Sequence, residues 1–483
     1  MDRKEMTSLG IIDTLDALKS KKFTCVELVE AYLENIKQFW DKNAVLEVFD
    51  DVLDHAREVD EKIAQGKLDG KLLGVPFIIK DNILYKGKRA TCASKFLEKF
   101  VSPYNATVVE KLLNEGAVIL GRANMDEFAM GGSTEKSAYG PCKNAHDDER
   151  VSGGSSGGSA VAVACNLCAA ALGTDTGGSV RQPASFNGVV GMKPTYGRIS
   201  RYGVVAFASS LDQVGPMTKN VKDNAYLLEI LAGADIHDQT TRIEAVDDYT
   251  TKMDNVSIKG MKIGYCKELI DMFKQSKDAH TFDRAIEFFK NNGAEIVEVT
   301  IPHIELALPV YYILAPAEAT SNLGRFDGVK YTTREGNSSD INKLYVESRT
   351  KGFGKEVKRR ILLGNYVLSS GFFDAFYQKA QKVQRYLTYR FEDALSQCDV
   401  LLMPVAYGEA FKIGEKTSDP VTMYLEDMFT VPSNLVGIPS LSVPYEVGSN
   451  GLPIGLQILG RKLDESTMYG VAQFVEKNYK RID

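Results

Sequence analysis

Gly153-Gly154-Ser155-Ser156-Gly157-Gly158-Ser159 opens the stretch that decides how this chain is read, and Gly173-Thr174-Asp175-Thr176-Gly177-Gly178-Ser179-Val180-Arg181 closes it. Between them Ala160–Leu172 is almost wholly small and apolar, the composition of a buried helix. Glycine lets backbone N–H groups turn inward and approach a ligand closely. Serine brings hydroxyls that attack a carbonyl once a base takes their proton. A flexible linker would not resume apolar patterning at once, and a Walker-type phosphate loop would end in Gly-Lys-Ser/Thr, which neither loop does. The stretch therefore predicts an acyl-transfer site, a nucleophile set among backbone donors.

Histidine, the usual base for a serine nucleophile, is scarce. His55, His146, His237, His280 and His303 all lie in charged or loop-like contexts. Lysine is the known substitute, and Lys80 ends the strand-like run Leu72–Ile79, which would carry its amine into the interior. Burial disfavours the charged form and makes such an amine a base near neutral pH.

Lys80, the Gly-Gly-Ser-Ser-Gly-Gly loop and Asp175–Arg181 together resemble the amidase signature family. The resemblance implies a Ser–Ser–Lys triad: Ser179 as the acylated nucleophile, Ser155 as the bridging serine behind a cis Gly154-Ser155 bond, and Lys80 as the base. It implies an oxyanion hole from the backbone N–H groups of Thr176, Gly177, Gly178 and Ser179. It implies the family fold too, an α/β structure whose large twisted mixed sheet is covered by helices on both faces.

The signature spans Lys80 to roughly Pro216, but similarity continues through Lys193–Arg198, Tyr311-Tyr312, Arg325–Gly328, Gly352–Tyr377 and Asp427–Pro444. These segments are similar to the branch of the family formed by the glutamine-hydrolysing, A-type subunits of glutamyl-tRNA(Gln) amidotransferases. That branch implies glutamine as substrate and ammonia passed to a B-type partner, which uses ATP and Mg²⁺ on Glu-tRNA(Gln). It implies a small C-type partner wrapped around the chain. Glutamine carries a carboxylate and an ammonium, suited to a bidentate arginine and a carboxylate. By resemblance these are Arg360, with Arg359 one register shift away, and Asp427, while Tyr311 lines the pocket. A stand-alone amidase acting on another primary amide, and a scaffold that only kept the fold, are the competing readings.

Bulk properties agree with a soluble enzyme. With 44% hydrophobic and 25% charged residues the composition is ordinary, and a net charge of −6 argues against this chain being the main nucleic-acid grip. Met1–Leu9 has no apolar core and no run reaches membrane-helix length, so the cytoplasm, or an organelle matrix, is expected. Seven scattered cysteines suit a reducing compartment; Cys165-Asn166-Leu167-Cys168 reads as buried helix packing, and no metal site or cofactor is expected on this chain.

Periodicity gives the elements. Thr24 and Glu27 have capping-box spacing, and Val45–Ala64 reads as a second amphipathic helix, so residues 1–70 form a helical cover. Helix then strand recur at Ala106–Leu120, Phe282–Val299 and Val383–Met403, with Gly116 and Gly293 between them in the first two, which implies parallel strand pairs. Gly324–Gly354 reads as a long irregular stretch including Asn337-Ser338-Ser339. Val357–Ala380 reads as helix, Leu441–Val443 and Ile454–Leu459 as closing strands, and Asp464–Lys480 as a terminal helix. The expected organisation is one amidase domain over 1–483, with a signature core at 72–216 and pocket elements in 217–483.

Overall fold

The computed structural model describes residues 1–336, 339–417 and 419–479; Asn337 and Ser338 of the expected loop and Lys480 of the expected terminal helix lie outside them. Its centre is one mixed sheet of eleven strands. These are β1 Val45–Val48, β2 Pro76–Lys80, β3 Val118–Ala123, β4 Ala170–Asp175, β5 Val190–Lys193 and β6 Gln213–Thr218. The remainder are β7 Lys262–Cys266, β8 Glu295–Val299, β9 Val400–Pro404, β10 Ser440–Val447 and β11 Pro453–Leu459. The order across the sheet is β1-β3-β2-β4-β6-β5-β10-β11-β9-β7-β8.

The three helix–strand units each end in a parallel pairing: β3 on β2, β8 on β7 and β9 on β7. The middle of the sheet, β4-β6-β5-β10-β11-β9, is antiparallel throughout. β2, β3 and β4 are buried along their whole length, as strands covered on both faces are.

Several elements differ from their sequence reading. Val45–Ala64 begins as β1, drawn into antiparallel pairing with Gly121–Ala123, and turns helical only at Val52. Ala160–Leu172 is not one helix. The helix Gly157–Ala164 stops where Asn166 takes a left-handed conformation (φ 54°), and β4 follows. Cys165 and Cys168 therefore sit on the turn between them, as free thiols. Gly324–Gly354 contains the helix Ile341–Gly352, started by the Asp340 side chain accepting from Asn342 N at 2.9 Å. Val357–Ala380 is interrupted: the helix Lys355–Leu368 ends before Gly371 (φ 85°), and a π-helical segment Phe373–Gln378 follows. β10 and β11 close nothing; they pair with β5 and β9 in the sheet's interior. The capping box at Thr24 and Glu27 is present, with Glu27 N donating to Thr24 Oγ1 at 3.1 Å.

Candidate active site

Lys80 is the last residue of β2, and its parallel neighbours β3 and β4 seal it from water; it is 0% exposed. Its Nζ donates to Ser155 Oγ at 2.7 Å, Ser156 Oγ at 2.8 Å, Thr174 Oγ1 at 2.9 Å and the Thr174 carbonyl at 3.2 Å. Burial pulls the amine down to about 7, against the opposing charges of Asp126, Asp175 and Asp212. The hydroxyls around it are not equivalent. Ser156 Oγ donates to the Thr174 carbonyl at 3.1 Å and accepts from Thr174 N at 3.2 Å, so its proton is already used. Ser155 Oγ has no other partner among the described residues and is the hydroxyl free to give a proton to a neutral amine.

Ser155 follows a cis Gly154–Ser155 peptide bond and is fully buried. Ser179 lies across from it, joined through Ser156 N donating to the Ser179 carbonyl at 3.1 Å. Ser179 is 8% exposed, and its Oγ makes no hydrogen bond among the described residues, to Ser155 or to any other group.

The loop after β4 is shaped by a carboxylate it contains. Asp175 accepts from Gly178 N at 2.9 Å and Val180 N at 3.1 Å. The Gly178 N–H is thus taken up by Asp175, while those of Thr176, Gly177 and Ser179 have no partner among the described residues. Arg181 holds Asp175 through Nε and Nη2 at 3.0 Å each, and both side chains are fully buried. Its remaining N–H groups reach the Thr430 carbonyl, Ser433, Asn434, Ser440 and Gln457. Arg181 and the other buried ligands hold the Asp175 carboxyl well below the usual carboxylate range despite its desolvation. Glycine is required at 177 and 178 for space: a Cβ would come within 2.8 Å of the Tyr311 ring at the first and 2.2 Å of Thr430 Oγ1 at the second.

Tyr311 leads from this loop to the expected glutamine residues. Its ring stands edge-on to Tyr312 with centroids 5.0 Å apart, and Tyr312 OH donates to Asp427 Oδ2 at 2.6 Å. Burial pushes the Asp427 carboxyl up to about 7. The Arg360 guanidinium lies 5.3 Å from the Tyr312 ring centre, 5.4 Å from Tyr424 and 5.5 Å from Phe207, and its Nε donates to Glu356 at 2.9 Å. Its two Nη groups make no hydrogen bond among the described residues. Arg359 points outward, with 48% of its side chain exposed. Helical phase thus separates the two arginines. The sequence gives no role to Tyr312, Thr430 or Asp126, although all three fall inside the recognised segments. Among the described residues no cluster of His, Cys, Asp and Glu is placed to hold a metal ion, and no helix is long and apolar enough to cross a membrane.

A family model described as Amidase matches residues 27–468. The A-type subunit of glutamyl-tRNA(Gln) amidotransferase from Caldanaerobacter subterraneus subsp. tengcongensis is 50% identical over 478 residues, covering 99% of this chain and 97% of that protein. The crystal structure of the corresponding A-type subunit of the Thermotoga maritima glutamyl-tRNA(Gln) amidotransferase superposes with a TM-score of 0.80 at 41% identity, covering 98% of this chain and 95% of the other. The native peptide amidase of Stenotrophomonas maltophilia superposes with a TM-score of 0.83 at 29% identity, over 97% and 96% of the two chains.

Proposed function

The chain belongs to the amidase family, and we propose that it is the glutamine-hydrolysing subunit of a tRNA-dependent amidotransferase, releasing ammonia for the conversion of Glu-tRNA(Gln) to Gln-tRNA(Gln). Residues 1–483 are read as one amidase domain. The neutral Lys80 amine takes the Ser155 proton as Ser155 takes that of Ser179, whose Oγ attacks the side-chain carboxamide carbon of glutamine. The N–H groups of Thr176, Gly177 and Ser179 face the resulting oxyanion; one such donor contributes about 3–4 kcal/mol to lowering the barrier. Gly178 shapes the loop and is not itself a donor, because Asp175 occupies its N–H. The proton returns through Ser155 to the leaving nitrogen and ammonia departs. Water, activated by the same lysine and serine, then cleaves the glutamyl ester to glutamate and free Ser179.

One observation carries the choice of glutamine: the free Nη face of Arg360 and the Asp427 carboxylate flank Tyr312, whose neighbour Tyr311 touches the Ser179 loop. An α-carboxylate and an α-ammonium fit that pair. Under this reading ammonia goes to a B-type partner, where ATP and Mg²⁺ activate the glutamyl-tRNA carboxyl. A small C-type partner embraces this chain, and the work is done in the cytoplasm. The deciding experiment measures ammonia release from glutamine and from a simple aliphatic amide, using the complex purified with its partners. Glutamine is expected to be the preferred substrate, with Ser179→Ala inactive. Faster hydrolysis of the aliphatic amide would favour a stand-alone amidase, and an active Ser179→Ala would remove the nucleophile.

A further inference from the structure

The loop that presents Ser155 contains glycines at 153, 154, 157 and 158, residues with little conformational preference of their own. Its shape must come from outside, and one side chain outside the triad and the pocket spans it. Thr134 Oγ1 donates to the Gly153 carbonyl at 2.7 Å and accepts from Gly157 N at 3.1 Å. Both capacities of one hydroxyl are used on the two ends of the segment 154–156. Thr134 is completely buried and has φ of 57°, a left-handed conformation that a β-branched residue seldom takes. Asp126 maintains it: Oδ2 accepts from Thr134 N at 2.8 Å and Ser133 N at 3.3 Å, and Oδ1 accepts from Lys136 N at 3.0 Å. Asp126 N in turn donates to the Ser155 carbonyl at 3.3 Å. There is no slack in this arrangement, since a Cβ on Gly157 would come within 2.4 Å of Thr134 Oγ1 and one on Gly154 within 2.7 Å of Thr134 N.

We propose that Thr134 is a positioning residue of the hydrolytic site: its hydroxyl, bridging the Gly153 carbonyl and the Gly157 N–H, fixes Ser155 Oγ against the Lys80 amine. The proposal rests on the Lys80–Ser155–Ser179 reading above. Without the bridge, the buried Gly157 N–H loses its partner, the Gly153 carbonyl keeps only the longer bond from Ser152 Oγ at 3.1 Å, and the loop gains freedom at the residue through which the proton must pass. Arg360, Asp427 and Tyr311 contact neither Thr134 nor this loop segment through any hydrogen bond, so glutamine affinity is spared. The effect falls on kcat.

The test compares Thr134→Val, Thr134→Ser and Ser179→Ala in the complex assembled with its partner subunits, measuring kcat and KM for glutamine and the thermal melt of each. Thr134→Val keeps the shape and removes the hydroxyl; its kcat is expected to fall about 100-fold with KM changed less than about threefold, as a misplaced reacting group requires. Thr134→Ser restores the bridge and most of the rate. A merely structural role would lower the melting temperature but leave kcat per folded molecule unchanged. Thr134→Val with near wild-type kcat, while Ser179→Ala is inactive, overturns this proposal alone; an active Ser179→Ala overturns the reading beneath it. If Thr134→Val does not fold, Thr134→Ala against Thr134→Ser makes the same comparison, and a kcat ratio below about threefold overturns the proposal.

Discussion

Lys80 is the residue whose charge state governs the proposed chemistry. Its folded-state value of about 7 lies below the ordinary lysine value because burial disfavours the ammonium. Below pH 7 the amine is protonated and cannot accept from Ser155; above it the base form predominates. The expected outcome is a kcat that rises about tenfold per pH unit on the acid side and levels off near pH 7–8, read from a pH–rate profile. Asp427, pushed up to about 7, ionises over the same range, and only its carboxylate form pairs with an ammonium. The KM for glutamine is therefore expected to fall as pH rises through 7. Arg360 and Arg359 provide a contrast within one helix. Arg360→Lys keeps the charge but loses the planar fork, and steady-state kinetics should show KM raised about 10- to 100-fold. Arg359→Lys, on the exposed face, should leave both constants within about twofold.

At the scale of elements, the loop from Asp175 to Arg181 is held by a buried ion pair braced from the segment 430–457. Breaking such a pair leaves an uncompensated charge, so Arg181→Met is expected to cost about 3–5 kcal/mol, measured by chemical denaturation, and to abolish hydrolysis with it. The same pair shows what the amino-acid string conveys and what it withholds. Lys80 stands out because an apolar run ends in a cation, and the serines stand out because glycine surrounds them; both signals are local. Apart from Asp175, the partners of Arg181 lie 249 to 276 residues further on, and nothing near Arg181 announces them. The turned-in N–H of Gly178 is equally hidden, since it depends on where a carboxylate three residues earlier points. Parallel strand pairs were legible from the helix–strand repeats. β1 was not, because four residues carry too little periodicity to compete with the helix that follows.

For the whole molecule, the position of β10 and β11 matters most. They are late in sequence yet central in the sheet, pairing with β5 on one side and β9 on the other. A chain stopped after Val436 would lose these strands together with Ser440 and Gln457 from the Arg181 cluster. Such a truncation is expected to show no cooperative thermal transition and rapid limited proteolysis; a sharp melt would contradict this architecture. The long reach of Arg181 carries this further, into biosynthesis. By the time the ribosome has passed Arg181, Lys80, Ser155 and Ser179 have all been translated, but Thr430 and Gln457, which brace the loop, have not. A nascent chain, or a fragment cut before Thr430, is accordingly expected to be inert toward free glutamine until the rest of the polypeptide is in place.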